Sequence, residues 1–390
     1  MNTKGIEKGD VIIYTPKEGE VIKGIATGFS EYHDQERINF QVLDTEEVKI
    51  GMSLSRCEKA DGDSESVLST GDNVNVSVDS TETIAKGIEE VEYSGEVFKF
   101  GSIEVKKRKP HKLTQHLIPS KRSYIIEDDR KEDFEDIFDS VNENENILLV
   151  GEPGCGKSEF VLYLANLCNI PVVQVQGDGE MSVVDMIGGF QYSEKEKGTY
   201  WVDGIIPYAL RHKCWILFDE INMTLPEVLA RLHSVLDDRR HLDLKEINQI
   251  LPRSDETIII GTMNPSDDGR HVGTKPLSPA LWSRFNLIVN FEFLSPKEEQ
   301  KLLVERTGVS DKDAKIMITV ASEARKGFRN NEVTEVVDTR MLLSWAKKTN
   351  KFGLKRGLKN TILSRLDTDS IQVLRGVLMS YGVVEPEGKK

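Results

Sequence analysis

The sequence predicts a multidomain chain: an all-β N-terminal region, a largely parallel α/β core, and a helical C-terminal domain. Three observations predict it. Short runs rich in β-branched and aromatic residues fill the first hundred positions, apolar strands alternate with helical spacing from about Tyr124, and after Pro296 only helical periodicity remains. At 390 residues the chain exceeds one typical hydrophobic core. The divisions read as 1–105 for the β region, 106–123 for a basic linker, 124–295 for the core and 296–385 for the helical lid, with Pro386–Lys390 frayed at the end.

In the N-terminal region, Val11–Tyr14, Ile38–Val42, Val74–Val78 and Glu96–Phe100 read as strands separated by Gly, Asp and Ser. A weak repeat runs through it. Gly9-Asp10-Val11 returns as Gly71-Asp72-Asn73, and Val21-Ile22-Lys23-Gly24-Ile25 as Ile84-Ala85-Lys86-Gly87-Ile88, an offset of about sixty residues. Two copies of a small barrel-like module, or chance likeness between two β-rich stretches, would both give this pattern. Acidic residues outnumber basic ones here, which does not favour electrostatic binding of nucleic acid. The run Lys106-Lys107-Arg108-Lys109, with Lys112, Lys121 and Arg122, is the one basic cluster, read either as a solvated linker or as a nucleic-acid contact.

The core opens on Asn146-Ile147-Leu148-Leu149-Val150, a buried strand, followed by Gly151-Glu152-Pro153-Gly154-Cys155-Gly156-Lys157-Ser158 and a helix from Glu159. Strand, glycine-rich loop and helix in that order form a Walker A motif, whose backbone N–H groups wrap a phosphate chain. Gly151, Gly154, Cys155, Gly156 and Glu159 are read with it as nucleotide-binding positions. Lys157 would reach the β- and γ-phosphates and Ser158 would ligate Mg²⁺. Cys214–Glu220 is an apolar strand ending in two carboxylates, the Walker B pattern, with Asp219 for the Mg²⁺ shell and Glu220 to polarise a water. Strand alternation would point those two acids in opposite directions. Thr257–Pro265 is a third buried strand, with Asn264 at its tip to hold water and a phosphate oxygen. Arg284, before the apolar run Leu287–Val289, is placed to enter a neighbouring subunit's site, and Arg340, opening a lid helix, to meet the γ-phosphate in cis. The remaining lid helices are read over Glu298–Val304, Ala314–Ala324, Arg340–Lys347 and Ile371–Met379.

Bulk properties set the outer limits. Net charge is −14, no stretch approaches the ~20 apolar residues of a membrane span, and the first residues lack the apolar core of a signal peptide. Cysteines 57, 155, 168 and 214 are scattered, with no zinc spacing, so free thiols in a reducing cytoplasm are expected.

On these motifs the segment from about Lys121 to Tyr381 resembles an AAA+ ATPase, within the group containing MoxR proteins, the CbbQ rubisco-activating ATPases, cobaltochelatase ATPase subunits, dynein and midasin. The resemblance implies Walker A roles for Lys157 and Ser158 and Walker B roles for Asp219 and Glu220. It also implies sensor 1 for Asn264, a trans arginine finger for Arg284 and sensor 2 for Arg340. Asp185–Phe190, Gly198–Trp201 and Gly204–Leu210 match that group's insertion in helix 2, and Leu242–Ile247 its second hairpin. The insertion is read as facing the pore or one face of a ring, or as a packing hairpin alone. About 110 residues precede the core, more than in simple MoxR-like chains, so no particular target is carried over. GTP-specific restriction ATPases share this core, but their signature is not evident in Met263–Asp268, which favours ATP. The expectation is a cytoplasmic, Mg²⁺-dependent ATPase in a homo-oligomeric ring, a hexamer, remodelling a protein bound through the N-terminal region. A DNA-directed motor is the alternative. A binding-only scaffold would need neither Glu220 nor Arg284.

Overall fold

The computed structural model describes residues 11–14, 22–32, 35–42, 48–53 and 57–59 as strand backbone, and residues 87–193, 198–265 and 276–383 more fully. The chain divides into two compact units, Met1–Ser80 and Thr81–Lys390. In the first, five strands form an antiparallel sheet in the order Val48–Ser53, Gln35–Val42, Ile22–Tyr32, Val11–Tyr14, Cys57–Lys59. The strands read from sequence at Val11–Tyr14 and Ile38–Val42 lie in it. Val74–Val78 and most of the proposed second repeat lie outside the described residues.

The division at Ser80/Thr81 falls ahead of the boundary near 105 that composition suggests. Tyr93–Phe100 and Ile103–Arg108 form an antiparallel hairpin, and it packs with the second unit. Phe98 and Phe100 lie 5.4 and 4.8 Å, centroid to centroid, from Phe138 on α1 (Lys131–Asn142). Arg108, read from sequence as part of a basic linker, is a buried strand residue. Its guanidinium donates to the carbonyls of Lys213 (2.7 Å) and Glu256 and lies 3.3 Å from the Glu256 carboxylate. Lys107 and Lys109 pair with Glu96 (3.1 Å) and Glu92 (3.0 Å). A run of like charge therefore folds into a sheet edge whose cations already have partners. A chain starting at Thr81 should fold with its α/β core and lid intact, whereas one starting at Lys121 should be less stable by on the order of 3–5 kcal/mol, having lost the aromatic cover of Phe138 and the Arg108 guanidinium that donates to the Lys213 and Glu256 carbonyls. Thermal unfolding of the two truncations checks this, and equal midpoints would show the hairpin to be dispensable.

The core sheet is parallel throughout. Its strands are β1 (Ile147–Gly151), β2 (Val172–Gln176), β3 (Trp215–Asp219), β4 (Ile259–Met263) and β5 (Leu287–Phe291), in the order β5-β1-β4-β3-β2. The central strands β1, β4 and β3 are buried on both faces, hence their continuous apolar runs, while the edge strands β2 and β5 keep exposed positions. Register aligns the strand ends: Asp219 lies opposite Gln176, Phe218 opposite Gly261, and Met263 opposite Val150. All polar strand tips thus meet at the carboxyl edge, where open α/β sheets place their ligands. α2 (Lys157–Leu167) follows β1 directly.

Between β2 and β3, Ser182 caps the short helix Val183–Ile187 in a reciprocal box with Asp185. A hairpin, Gly188–Ser193 with Gly198–Asp203, then leads into Ile205–Arg211. Phe190 and Tyr192 on this hairpin are 57% and 66% exposed. A second hairpin pairs His241–Leu244 with Gln249–Pro252. The lid consists of α3 (Pro296–Thr307), α4 (Asp311–Arg329), α5 (Thr339–Phe352) and α6 (Thr368–Ser380), with Leu354–Leu358 and one π turn between the last two. Ser310, Asp338 and Asp367 each cap a helix by accepting a backbone N–H, and Trp345, Leu342, Leu374 and Leu378 fill the lid core. Among the described residues no helix is long and apolar enough to cross a membrane.

Candidate functional site

The phosphate loop is shaped by two glycines with positive φ, Gly154 (+73°) and Gly156 (+102°). A Cβ on Gly154 would sit 2.3 Å from the Asp338 carboxylate, and one on Gly156 3.2 Å from the Tyr124 hydroxyl. Lys157 is buried, and its Nζ donates to the carbonyls of Gly151 (2.6 Å) and Glu152 (3.0 Å) and to Asn264 Oδ1 (3.2 Å). Burial pulls its ammonium below the ordinary lysine value, with Cys155, Asp219 and Glu220 acting against that shift. Burial pushes the Cys155 thiol up, so it remains protonated. Gly154→Ala should cost about 1–2 kcal/mol through the left-handed backbone alone, and displacement of Asp338 should weaken nucleotide binding about tenfold or more. A fluorescent-nucleotide titration with a melting curve measures both, and unchanged affinity would mean that Asp338 yields freely.

β3 delivers Asp219, whose Oδ1 accepts from Ser158 Oγ (2.7 Å) and Thr262 Oγ1 (2.5 Å). Glu220 is not a strand residue. Its backbone is left-handed (φ 55°, ψ 46°), and its N–H donates to Thr262 Oγ1 at 3.1 Å. A turn, not strand alternation, therefore separates the two acids, and both wall the same cavity. Gln176 Nε2 donates to Glu220 Oε2 (3.0 Å). Asn264 is buried, and its carbonyl accepts from Asn222 Nδ2 (3.1 Å).

The cavity, about 480 Å³, is walled by both core and lid: the phosphate loop, Gln176, Asp219, Glu220 and Asn264 on one side, and Leu302, Arg306, Thr339 and Arg340 on the other. The Arg340 side chain is 76% exposed and its Nε lies 3.4 Å from Asp338 Oδ2. Glu159 lines the cavity, but its carboxylate is paired with Arg122 (2.9 Å) and lies 3.8 Å from Arg306. Arg284 lies outside. It follows the helix Pro279–Trp282, donates to the carbonyls of His233 (3.3 Å) and Ala280, and lies 3.5 Å from the Asp237 carboxylate. Asp237 is held at about 2, chiefly by its hydrogen bond with Arg239. Sequence reading missed Gln176, Thr262, Tyr124, Arg306 and Thr339. For Gln176 a signal existed, since it is the polar tip of an apolar strand, as Asn264 is.

These residues fit a nucleotide with Mg²⁺. The glycine cradle admits a close anion, and the Ser158 hydroxyl and Asp219 carboxylate are hard oxygen donors side by side. Fold and site together define a P-loop nucleotide-binding protein of the AAA+ type. Residues 146–285 match the AAA domain of the dynein-related subfamily, and residues 299–378 match the CbbQ/NirQ/NorQ C-terminal domain. The chain thus carries an AAA domain and a CbbQ/NirQ/NorQ-type C-terminal domain, and its relatives include NorQ, NirQ, CbbQ and CobS, which are MoxR-like AAA+ ATPases. Protein NorQ of Paracoccus denitrificans is 27% identical over 243 residues, 62% of this chain and 87% of that protein. The aerobic cobaltochelatase subunit CobS of a Sinorhizobium species is 25% identical, across 57% and 71% of the two chains. Midasin of Giardia intestinalis is 35% identical over 139 residues, 36% of this chain but 3% of midasin.

Proposed function

We propose that this chain binds ATP with Mg²⁺ in the cavity between core and lid, and hydrolyses it at the subunit interfaces of a cytoplasmic homo-oligomeric ring, a hexamer. Hydrolysis remodels or activates a protein partner. One observation carries the reading: Lys157, Ser158, Asp219, Glu220, Asn264 and Arg340 converge on one cavity, while Arg284, the remaining cation of the motif set, stands outside it. A neighbouring copy would supply that missing cation.

Ser158 and Asp219 would hold Mg²⁺, which neutralises phosphate charge when bound. Lys157 draws the phosphate chain onto the loop, and Asn264 orients water. Glu220 accepts the water's proton, with Gln176 fixing the carboxylate in the meantime. Names of relatives such as aerobic cobaltochelatase subunit and denitrification regulatory protein support an enzyme as the partner. Selection of that partner falls to the N-terminal region. The DNA-motor reading loses its main support, because Arg108 is buried and Lys107 and Lys109 are paired with glutamates.

The test is ATPase rate against protein concentration, with native mass measured at each point. Specific activity should rise steeply as rings assemble and should not respond to added DNA. A flat specific activity from monomer to ring would remove the shared site from the reading.

A further inference from the structure

A buried ionic brace lies inside the lid, next to the cavity but not part of it. The Glu299 carboxylate, on α3, is fully buried and accepts both terminal nitrogens of Arg325, on α4, at 2.7 and 2.8 Å. It also accepts the Thr339 hydroxyl at 2.6 Å. Arg325 Nε donates to the Val337 carbonyl (2.8 Å), and the guanidinium lies 3.8 Å from the centre of the Phe293 ring, in the segment joining core to lid. The two anchored groups, Val337 and Thr339, flank Asp338. Asp338 caps α5 through the Met341 N–H (2.7 Å) and lies over Gly154 of the phosphate loop, and the next residue but one is Arg340. A buried ion pair is a weak source of stability compared with apolar side chains of the same volume. What this one does supply is position, because it fixes the residues on both sides of Asp338 relative to two lid helices and the hinge.

We propose that Glu299 and Arg325 are positioning residues for the nucleotide site. They hold the segment 337–340 so that Asp338 seats on the phosphate loop and Arg340 faces the terminal phosphate, giving the site its preference for triphosphate over diphosphate. This rests on the reading of the cavity as an ATP site in which Arg340 meets the γ-phosphate.

Full-length protein carrying Arg340→Ala, Glu299→Gln, Arg325→Lys, or the volume-conserving pair Glu299→Met with Arg325→Met would be compared for ATP and ADP affinity, kcat, KM and thermal midpoint. Arg340→Ala should lower the ATP-over-ADP preference about tenfold or more, the loss of one charge-assisted contact. The double methionine variant should melt close to wild type yet lose the preference to the same extent, with kcat reduced in parallel. Arg325→Lys should retain more of the preference than Glu299→Gln, because the buried charge keeps a partner. A folded double variant with wild-type preference and kcat would overturn the proposal while leaving the cavity reading intact, provided Arg340→Ala shows its effect. If Arg340→Ala changes nothing, the γ-phosphate reading fails and the proposal with it. Should the double variant not fold, the two single variants decide by the same comparison.

Discussion

Arg284→Ala should bind ATP as wild type does and turn it over about 10³–10⁵-fold more slowly, the range expected when a trans arginine is lost. The guanidinium sits away from the cavity of its own chain, among the His233 and Ala280 carbonyls and the Asp237 carboxylate, so its removal leaves the phosphate loop untouched. Mixing this variant with Lys157→Ala gives the decisive comparison. Some interfaces would then pair an intact loop with an intact arginine, and activity should exceed that of either variant alone. A mixture that co-assembles by native mass yet stays inactive would make Arg284 a cis or structural residue, or require every site in the ring to be intact. Titrating wild type against the variant separates those outcomes by the shape of the activity curve.

Glu220→Gln should retain ATP and slow hydrolysis by about 10²–10⁴-fold, the usual worth of a positioned general base. The amide preserves side-chain length and still offers an oxygen to Gln176, while the Ser158–Asp219 pair and Lys157 are unchanged. Binding and chemistry therefore separate in this variant, and long-lived ATP complexes should trap the partner in a pull-down. Hydrolysis near the wild-type rate would mean that another group takes the proton.

The core was legible because its signals are local. A glycine loop between a buried strand and a helix, a strand ending in Asp219-Glu220, and the amphipathic lid helices each announce themselves within about ten residues. The groups that escaped notice act across the chain. Gln176 and Glu220 meet because parallel register sets Gln176 beside Asp219, and Asp338 meets Gly154 only once the lid has folded against the core. The basic run at 106–109 misled for the same reason. Its partners Glu92 and Glu96 come from the opposite strand of a hairpin, and those of Arg108 from two separate loops. Strand alternation misassigned Glu220 because the strand ends one residue earlier.

That last departure has a thermodynamic side. A left-handed backbone at a residue other than glycine costs about 1 kcal/mol or more, and Glu220 adopts it, with its N–H held by Thr262. A glycine at 220 would relax the backbone and erase the carboxylate in the same substitution. On the role proposed for Glu220, folding and chemistry favour different residues here, and the one present is the one that would serve chemistry.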